Sequence, residues 1–434
     1  MWAELESVSG QPVGQIARDW TETAGFPLIK VSAYCVGNER HIELTQERYT
    51  LEANKAKAQH WRIPLQIDNG SGTSMQVLLQ AASEHIVQAG CDEGLMIDPG
   101  NIGFFRVQYA PELQAALTRN FARLPVSAKQ KLLSDTWALA SSGRIALDNY
   151  LDLLQQLQTE DAPALWASVA ANLRTVDRFT GESPLQGSWR SFVQATLSSK
   201  LAQLGWEGKP IDSNNMRQTR AELISVLGDL GDSGVLGQAK VYFAGIAKGQ
   251  NQLSPEVTRA VVHLAGRSAD ASTYHTLWKL SQTAESAQAK DDYLFAMFAA
   301  SDPKLAQTSM HMALDRKLPS AVTDFILRTV AESGHMDSSW AFAMQRFEQL
   351  TNMQTAFRLG VFYPSLLRSA TDERYADQIE AFAKTRLPLA LEDAGHVAEN
   401  IRARARQKQR VLPQLQRYLG KFRSITKRSP DQDN

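Results

Sequence analysis

Phe104-Phe105-Arg106-Val107-Gln108-Tyr109-Ala110-Pro111 is the stretch on which the reading of the fold turns. Before it, apolar and polar residues alternate with a period of two, as on a half-buried strand; from Pro111 onward apolar residues recur every three to four positions. Reading back from this point, residues 28–36 place Ile29, Val31, Ala33 and Cys35 on one face and Lys30, Ser32 and Tyr34 on the other. Asn38-Glu39 turns the chain into a strand carrying Ile42 and Leu44, and a third runs through Trp61, Ile63, Leu65 and Ile67. Pro64 cannot donate to a ladder, so it marks a sheet edge or a bulge. Beyond the turn chemistry of Asn69-Gly70-Ser71-Gly72, short strands fit 75–79, 85–87, 95–97 and 104–109. Seven short strands in about 85 residues predict an antiparallel β-sandwich over 26–110. Residues 1–25 read as helical, from Leu5, Val8, Ile16, Ala17 and Trp20, and Gly25-Phe26-Pro27 ends that run.

Reading forward, the helical period is carried by groups such as Leu132, Leu133, Trp137 and Ala140, then Tyr150, Leu153, Leu154 and Leu157. Small-residue corners recur as Ala265-Gly266-Arg267-Ser268, Ala299-Ala300-Ser301-Asp302 and Ala331-Glu332-Ser333-Gly334, with serines 33 and 32 residues apart. That period suits two short helices and two loops, the unit of an α-solenoid of HEAT/ARM-like helix pairs. A compact bundle is the alternative. Roughly 300 residues of short amphipathic helices exceed what one core holds, whereas stacked pairs share a continuous one. The expectation is a multidomain chain: a helical segment at 1–25, a small all-β sandwich at 26–110, a large all-α solenoid at 111–426 and a polar tail at 427–434.

Forty-six basic residues balance 46 acidic ones, which removes the positive field that non-specific nucleic-acid binding needs. No stretch approaches the roughly 20 apolar residues of a membrane span, and Met1-Trp2-Ala3-Glu4-Leu5-Glu6 lacks the pattern of a signal peptide. Cys35 and Cys91 are the only cysteines, too few for a thiolate zinc cluster. Cys35 reads as a small core hydrophobe, with a bridge to Cys91 left open.

The eight histidines, His41, His60, His85, His263, His275, His311, His335 and His396, include no two spaced three to five apart. No His-Glu-x-x-His, phosphate loop, dinucleotide fingerprint or nucleophile elbow occurs. Each histidine reads as a surface or satisfied core residue. Carboxylates such as Asp229, Asp232, Asp291 and Asp292 read as helix caps and solvated faces. No catalytic residue and no metal ligand is assigned.

Several segments resemble the M1 family of zinc aminopeptidases, in the group whose C-terminal domain is like that of the endoplasmic-reticulum aminopeptidases. Val8-Ser9-Gly10 followed by Trp20-Thr21-Glu22-Thr23-Ala24-Gly25-Phe26-Pro27 is similar to the family's passage from catalytic domain to sandwich, with Thr23 where glutamine is common. Leu44-Thr45-Gln46-Glu47-Arg48-Tyr49 and Trp61-Arg62-Ile63-Pro64 resemble two of its strands. Asn101-Ile102-Gly103-Phe104-Phe105-Arg106-Val107-Gln108-Tyr109 resembles the strand that closes the sandwich, with phenylalanines for tyrosines. Leu133-Ser134-Asp135-Thr136-Trp137-Ala138-Leu139 and Ser142-Gly143-Arg144 are similar to the start of its helical part.

The resemblance implies that an N-terminal β-domain and a thermolysin-like zinc domain precede this region in a parent metalloaminopeptidase, which removes N-terminal residues from peptides. The family's zinc motif, its glutamate ligand, its Gly-Ala-Met-Glu-Asn motif and its catalytic tyrosine have no matching positions here. The chain alone is therefore expected to be inactive and to need no cofactor of its own, zinc being a property of the catalytic domain. The solenoid is implied to form a bowl that encloses the peptide and shifts between open and closed arrangements. The expected partners are peptides and the preceding domains, with no nucleic acid.

Ten lysines and arginines and no acidic residue lie between Ile401 and Pro430. Arg402, Arg406 and Arg410 fall on one helical face and are the candidate peptide-binding residues, because guanidinium groups fork onto carboxylates. The competing reading is a solvated helix face near a C-terminus, with Pro413 interrupting the pattern. At the level of the whole chain the alternatives are a stand-alone α-solenoid that binds protein or peptide partners and, third, a helical nucleic-acid binder.

Overall fold

The computed structural model describes residues 1–52, 59–69, 74–91, 94–181, 183–315 and 320–428. The chain divides into two compact units, Met1–Val169 and Ala170–Asn434.

The first unit opens with helices α1 (Trp2–Ser9) and α2 (Val13–Glu22), neither of which buries a residue. Seven strands follow: β1 (Pro27–Val36), β2 (Glu39–Arg48), β3 (Ile63–Asp68), β4 (Ser74–Leu79), β5 (Ser83–Ala89), β6 (Met96–Ile97) and β7 (Arg106–Tyr109). They form a four-stranded sheet in the order β5-β2-β1-β7 and a three-stranded sheet in the order β4-β3-β6. The alternation does what it predicts: Ile29, Val31, Ile42, Leu44, Ile63, Leu65 and Ile67 are all buried.

Three details differ from expectation. β1 pairs with β7 in parallel, because β7 enters beside β1 after a connection that passes through the second sheet, so the β region is not wholly antiparallel. The β1–β2 turn is Gly37-Asn38, one residue earlier than expected, and puts its positive φ of 59° on glycine. Cys35 is an exposed disulfide half bonded to Cys91, not a core hydrophobe, because the burial of β1 fades along its length and Tyr34, Cys35 and Val36 are all exposed. Pro64 lies opposite Leu78 of β4, and β6 pairs only with Ile67 and Asp68, so Pro64 takes a position where no further ladder needs its missing N–H. Most of the Asn69–Gly72 turn lies outside the described residues.

The motifs that carry the family resemblance are structural joints. Gln46 of β2 is buried and ties the two sheets: its amide donates to the carbonyls of Trp61 and Ala81 at 2.9 Å and accepts from the Trp61 N–H at 2.9 Å. Asp135 of α4 (Val126–Ser141) accepts from the Val107 N–H and the Arg106 guanidinium, both at 3.0 Å, and pairs with buried Lys131, which donates to Phe105 O at 2.7 Å. Arg144 donates to Thr50 O at 2.7 Å while lying over the Tyr49 ring. The Lys131, Asp135 and Arg144 side chains are buried and hydrogen-bonded, which is the condition for tolerating such charges, while Arg106 stays partly exposed.

Three further helices of this unit are α3 (Pro111–Arg119), α5 (Asp148–Gln155) and the start of α6 (Pro163–Thr180). The second unit holds the remainder of α6, then α7 (Gln186–Leu204), α8 (Asn214–Asp229), α9 (Ser233–Ile246), α10 (Pro255–Arg267), α11 (Ala271–Thr283), α12 (Ala287–Phe298) and α13 (Pro303–Met312). It continues through α14 (Ser320–Val330), α15 (Met336–Gln345), α16 (Phe347–Thr351), α17 (Ala356–Leu367), α18 (Arg374–Arg386) and α19 (Leu391–Arg428). Helix starts are written in the sequence: Ser213, Asp232, Ser254, Asp270, Ser286 and Asp302 each accept a backbone N–H of the first turn of α8 to α13.

Alternate helices stack: α8 on α10, α10 on α12, α12 on α14, α14 on α17 and α17 on α19, with α9, α11, α13 and α18 packed against the same series. This two-layer succession is a small β region followed by a helical array, not a single bundle. The three recurrent corners sit at equivalent places, the C-terminal ends of α10, α12 and α14, and neighbouring corners are bonded: Ser301 N–H to Arg267 O at 3.0 Å, and His335 Nε2 with Ala300 O at 3.1 Å. α19 runs unbroken through Pro413, contrary to the expected interruption. Its buried stripe of Ala394, Ala398, Ile401, Ala405, Val411 and Leu415 outweighs the one lost backbone bond. Beyond Pro413, Tyr418 and Phe422 of α19 meet Phe192 of α7 edge-on at 5.7 and 5.1 Å.

Gly266 marks the closest approach in the stack. A Cβ there would lie 2.0 Å from Ala296 O, a backbone atom that cannot rotate away. Gly266→Ala is therefore expected to destabilise the helical unit by about 1–3 kcal/mol despite alanine's better helix propensity. Gly237→Ala, which meets open space, should be neutral or stabilising in the same thermal melt. Equal midpoints for the two variants would refute the close approach.

Candidate functional site

Within the helical unit, the end of α6, the corner after α14, the end of α17 and the middle of α19 line a cavity of about 500 Å³. Its charged groups are Arg178, Arg368, Arg404 and Glu332, with Ser369 and Asn400 between them. Arg368 is matched by Glu332 at 2.8 Å. Arg404 donates to the carbonyls of Ala370, at 2.9 Å, and Arg368, neutral acceptors at the end of α17. Arg178 donates to Thr175 Oγ1 at 3.1 Å. Three cations thus face one carboxylate. Burial pushes the Arg178 guanidinium below its usual range, partly offset by Glu332 and reinforced by Arg174; burial and then the charge of Arg178 do the same to Arg404. Such a cavity favours an anion, and guanidinium groups fix carboxylates by paired charge-assisted hydrogen bonds.

The face singled out from sequence lies elsewhere on α19. Arg402 donates to both oxygens of Glu380, at 2.7 and 2.8 Å, and to Asp377 at 2.7 Å, with Glu373 at 3.8 Å. Hydrogen bonds to Glu380 first and Asp377 next, both on α18, raise the Arg402 guanidinium above its ordinary range. Arg406 and Arg410 are half-buried and each is engaged with neighbours. The structure thus places Arg402 in a clamp between α18 and α19. Arg404, two residues away and on another side of the helix, reaches the cavity.

A second cluster escaped the sequence reading. Asp229, expected as a cap or a solvated carboxylate, is 7% exposed. It accepts from Arg174 Nε at 2.7 Å, is bonded to His263 Nε2 at 2.9 Å, and accepts from Arg267 Nη1 at 3.2 Å. Burial pushes this carboxyl up, but the bond and charge of His263, with Arg174 and Arg267, outweigh it and hold it well below the usual range. Arg174 also holds Glu222 at 2.9 Å, so α6, α8 and α10 are joined through one buried anion. Asp232, by contrast, is the expected cap, accepting from Val235 N–H at 2.9 Å.

Among the described residues no three His, Cys, Asp or Glu side chains converge as a metal centre, so no hydrolytic step is derived. No helix among the described residues is long and apolar enough to cross a membrane.

A family model described as the ERAP1-like C-terminal domain matches residues 95–403. The chain is similar to aminopeptidase M1-A of Oryza sativa subsp. japonica, 22% identical over 403 residues that make up 89% of this chain and 45% of the relative. It is 21% identical to the puromycin-sensitive aminopeptidase of Caenorhabditis elegans over 353 residues, 79% of this chain and 37% of that protein. It is 23% identical to the glutamyl aminopeptidase of Rattus norvegicus over 366 residues, 82% of this chain and 38% of that protein. The chain spans less than half the length of these relatives. With most of its length matched, from the closing strands of the sandwich to the middle of α19, the chain belongs to the ERAP1-like C-terminal domain family, the region it shares with M1 aminopeptidases.

Proposed function

We propose that this chain is the substrate-enclosing, regulatory part of an M1-type zinc aminopeptidase, whose hydrolytic zinc is held by a catalytic domain outside this stretch. In that reading the helical unit receives the peptide and the arginine-lined cavity holds its C-terminal carboxylate while the N-terminus reaches the metal. The observation that carries it is the excess of guanidinium groups over carboxylates around a cavity of about 500 Å³, inside the size range of ligand sites. The Arg402, Arg406 and Arg410 face is the competing position for the same carboxylate.

The test is binding of fluorescent peptides to the chain, free acid against C-terminal amide. The free acid should bind more tightly. Arg178→Ala with Arg404→Ala should remove that preference, since charged hydrogen bonds are worth about 1.5–3 kcal/mol, or roughly 10- to 100-fold. Arg402→Ala with Arg406→Ala should weaken both peptides alike through the loss of the α18 clamp. If the second pair alone removes the preference, the carboxylate site belongs on that face of α19. Equal binding of acid and amide by the parent chain would overturn carboxylate recognition altogether. The chain alone should also release no amine from aminoacyl-anilides, and chelator-sensitive hydrolysis would defeat the division of labour.

A further inference from the structure

On the solvent side of the four-stranded sheet, two imidazoles converge. In the β2–β5 ladder His41 faces Val87 and His85 faces Glu43, so the histidines are diagonal neighbours whose side chains lean together along the strands. Nδ1 of His41 comes within 3.1 Å of Nε2 of His85. His41 is held from behind by Tyr34, whose ring stacks on it at 4.9 Å and 7°, and the two imidazole rings lie 5.2 Å apart. The register is fixed from the other face of the sheet, where Arg40, Ile42 and Leu44 are buried.

In the metal-free pair one inward nitrogen donates and the other accepts. Two imidazole nitrogens, each about 2.0–2.1 Å from one ion and 3.1 Å from each other, subtend about 95–100° at it, close to both the cis and the tetrahedral angle. We propose that His41 and His85 are a two-imidazole chelate for a divalent transition-metal ion, Cu²⁺ ahead of Ni²⁺ and Zn²⁺, with water completing the coordination. The preference order follows the intrinsic affinities of nitrogen ligands. On binding, the proton between the rings moves to the outward nitrogen of the imidazole that carried it; both inward lone pairs then face the ion, and no proton is released. Because β5 is an edge strand, the ion ties that edge to β2. This site is independent of peptide binding and of the catalytic domain's zinc.

The test is titration of the intact chain with Cu²⁺ and with Ni²⁺, followed by calorimetry and, for Cu²⁺, electron paramagnetic resonance. The expected result is one ion per chain in a nitrogen-coordinated signal, with affinity lowered at least about tenfold in His41→Gln and in His85→Gln. The ion should raise the thermal midpoint of the parent chain and leave that of either variant unmoved. Both residues are accessible, so the variants should match the parent's metal-free far-ultraviolet spectrum. Unchanged affinity and stoichiometry in both variants would place the ion elsewhere, and absence of saturable binding at micromolar ion would end the proposal.

Discussion

Arg220→Ala is expected to remove about 3–5 kcal/mol from the helical unit. Arg220 on α8 is 1% exposed and its partner Asp212 is 4% exposed. The guanidinium donates to Leu204 O, at 3.2 and 2.9 Å, to Gly205 O at 2.9 Å and to the Asp212 carboxylate. It thereby satisfies carbonyls at the C-terminal end of α7 and anchors the 205–213 loop, where Asp212 also accepts from the Lys209 N–H at 3.0 Å. Truncation leaves a buried carboxylate and two carbonyls without their donor, and that desolvation, not the loss of attraction, sets the size of the effect. Arg220→Lys should recover little, because an ammonium cannot fork across three acceptors. In the double variant with Asp212→Asn the losses should be clearly less than additive. Trp206, stacked on Tyr242 at 5.4 Å within this loop, reports the transition during urea unfolding. A loss below about 1 kcal/mol, or strict additivity, would mean that the network is not coupled.

The second large effect concerns the first unit. Opening the Cys35–Cys91 bond should destabilise it by about 4 kcal/mol, the chain-entropy value for a closed loop of 56 residues. The bond joins the end of β1 to the segment after β5, strands that lie on either side of β2 and do not pair with each other. It therefore limits the unfolded chain over a span holding β2, β3, β4 and β5. Unfolding midpoints with and without a thiol reductant measure the effect, and the Cys35→Ser, Cys91→Ser double variant should be insensitive to reductant. A parent chain equally insensitive would contradict a structural role for the bridge.

What was legible in the sequence follows from what a period encodes. Alternation identifies which side chains share a face, so the strands and their buried residues emerge from Ile29, Val31, Ile42 and Leu44. It does not name partners, and the parallel pairing of β1 with β7 and the Cys35–Cys91 bond are both partner choices. The corner phrases of the helical part were readable because each ends an equivalent helix. Asp229 was not, since a lone aspartate near the end of a helix looks like any other until α6 and α10 bring Arg174, His263 and Arg267 to it. The same holds for α19: spacing alone groups Arg402 with Arg406 and Arg410. Acidic residues on α18 occupy Arg402, and the less conspicuous Arg404 reaches the cavity.

The edge-on packing of Phe192 between Tyr418 and Phe422 has a mechanical consequence. An open stack of helix pairs unravels from whichever extremity is weakest, each pair leaving on its own. Here α19 is fastened back onto α7, near the start of the helical unit, so its final turns are not free to peel. Such a loop of helices should come apart in one step, and pulling or digesting away the final turns of α19 should convert that single transition into a graded one.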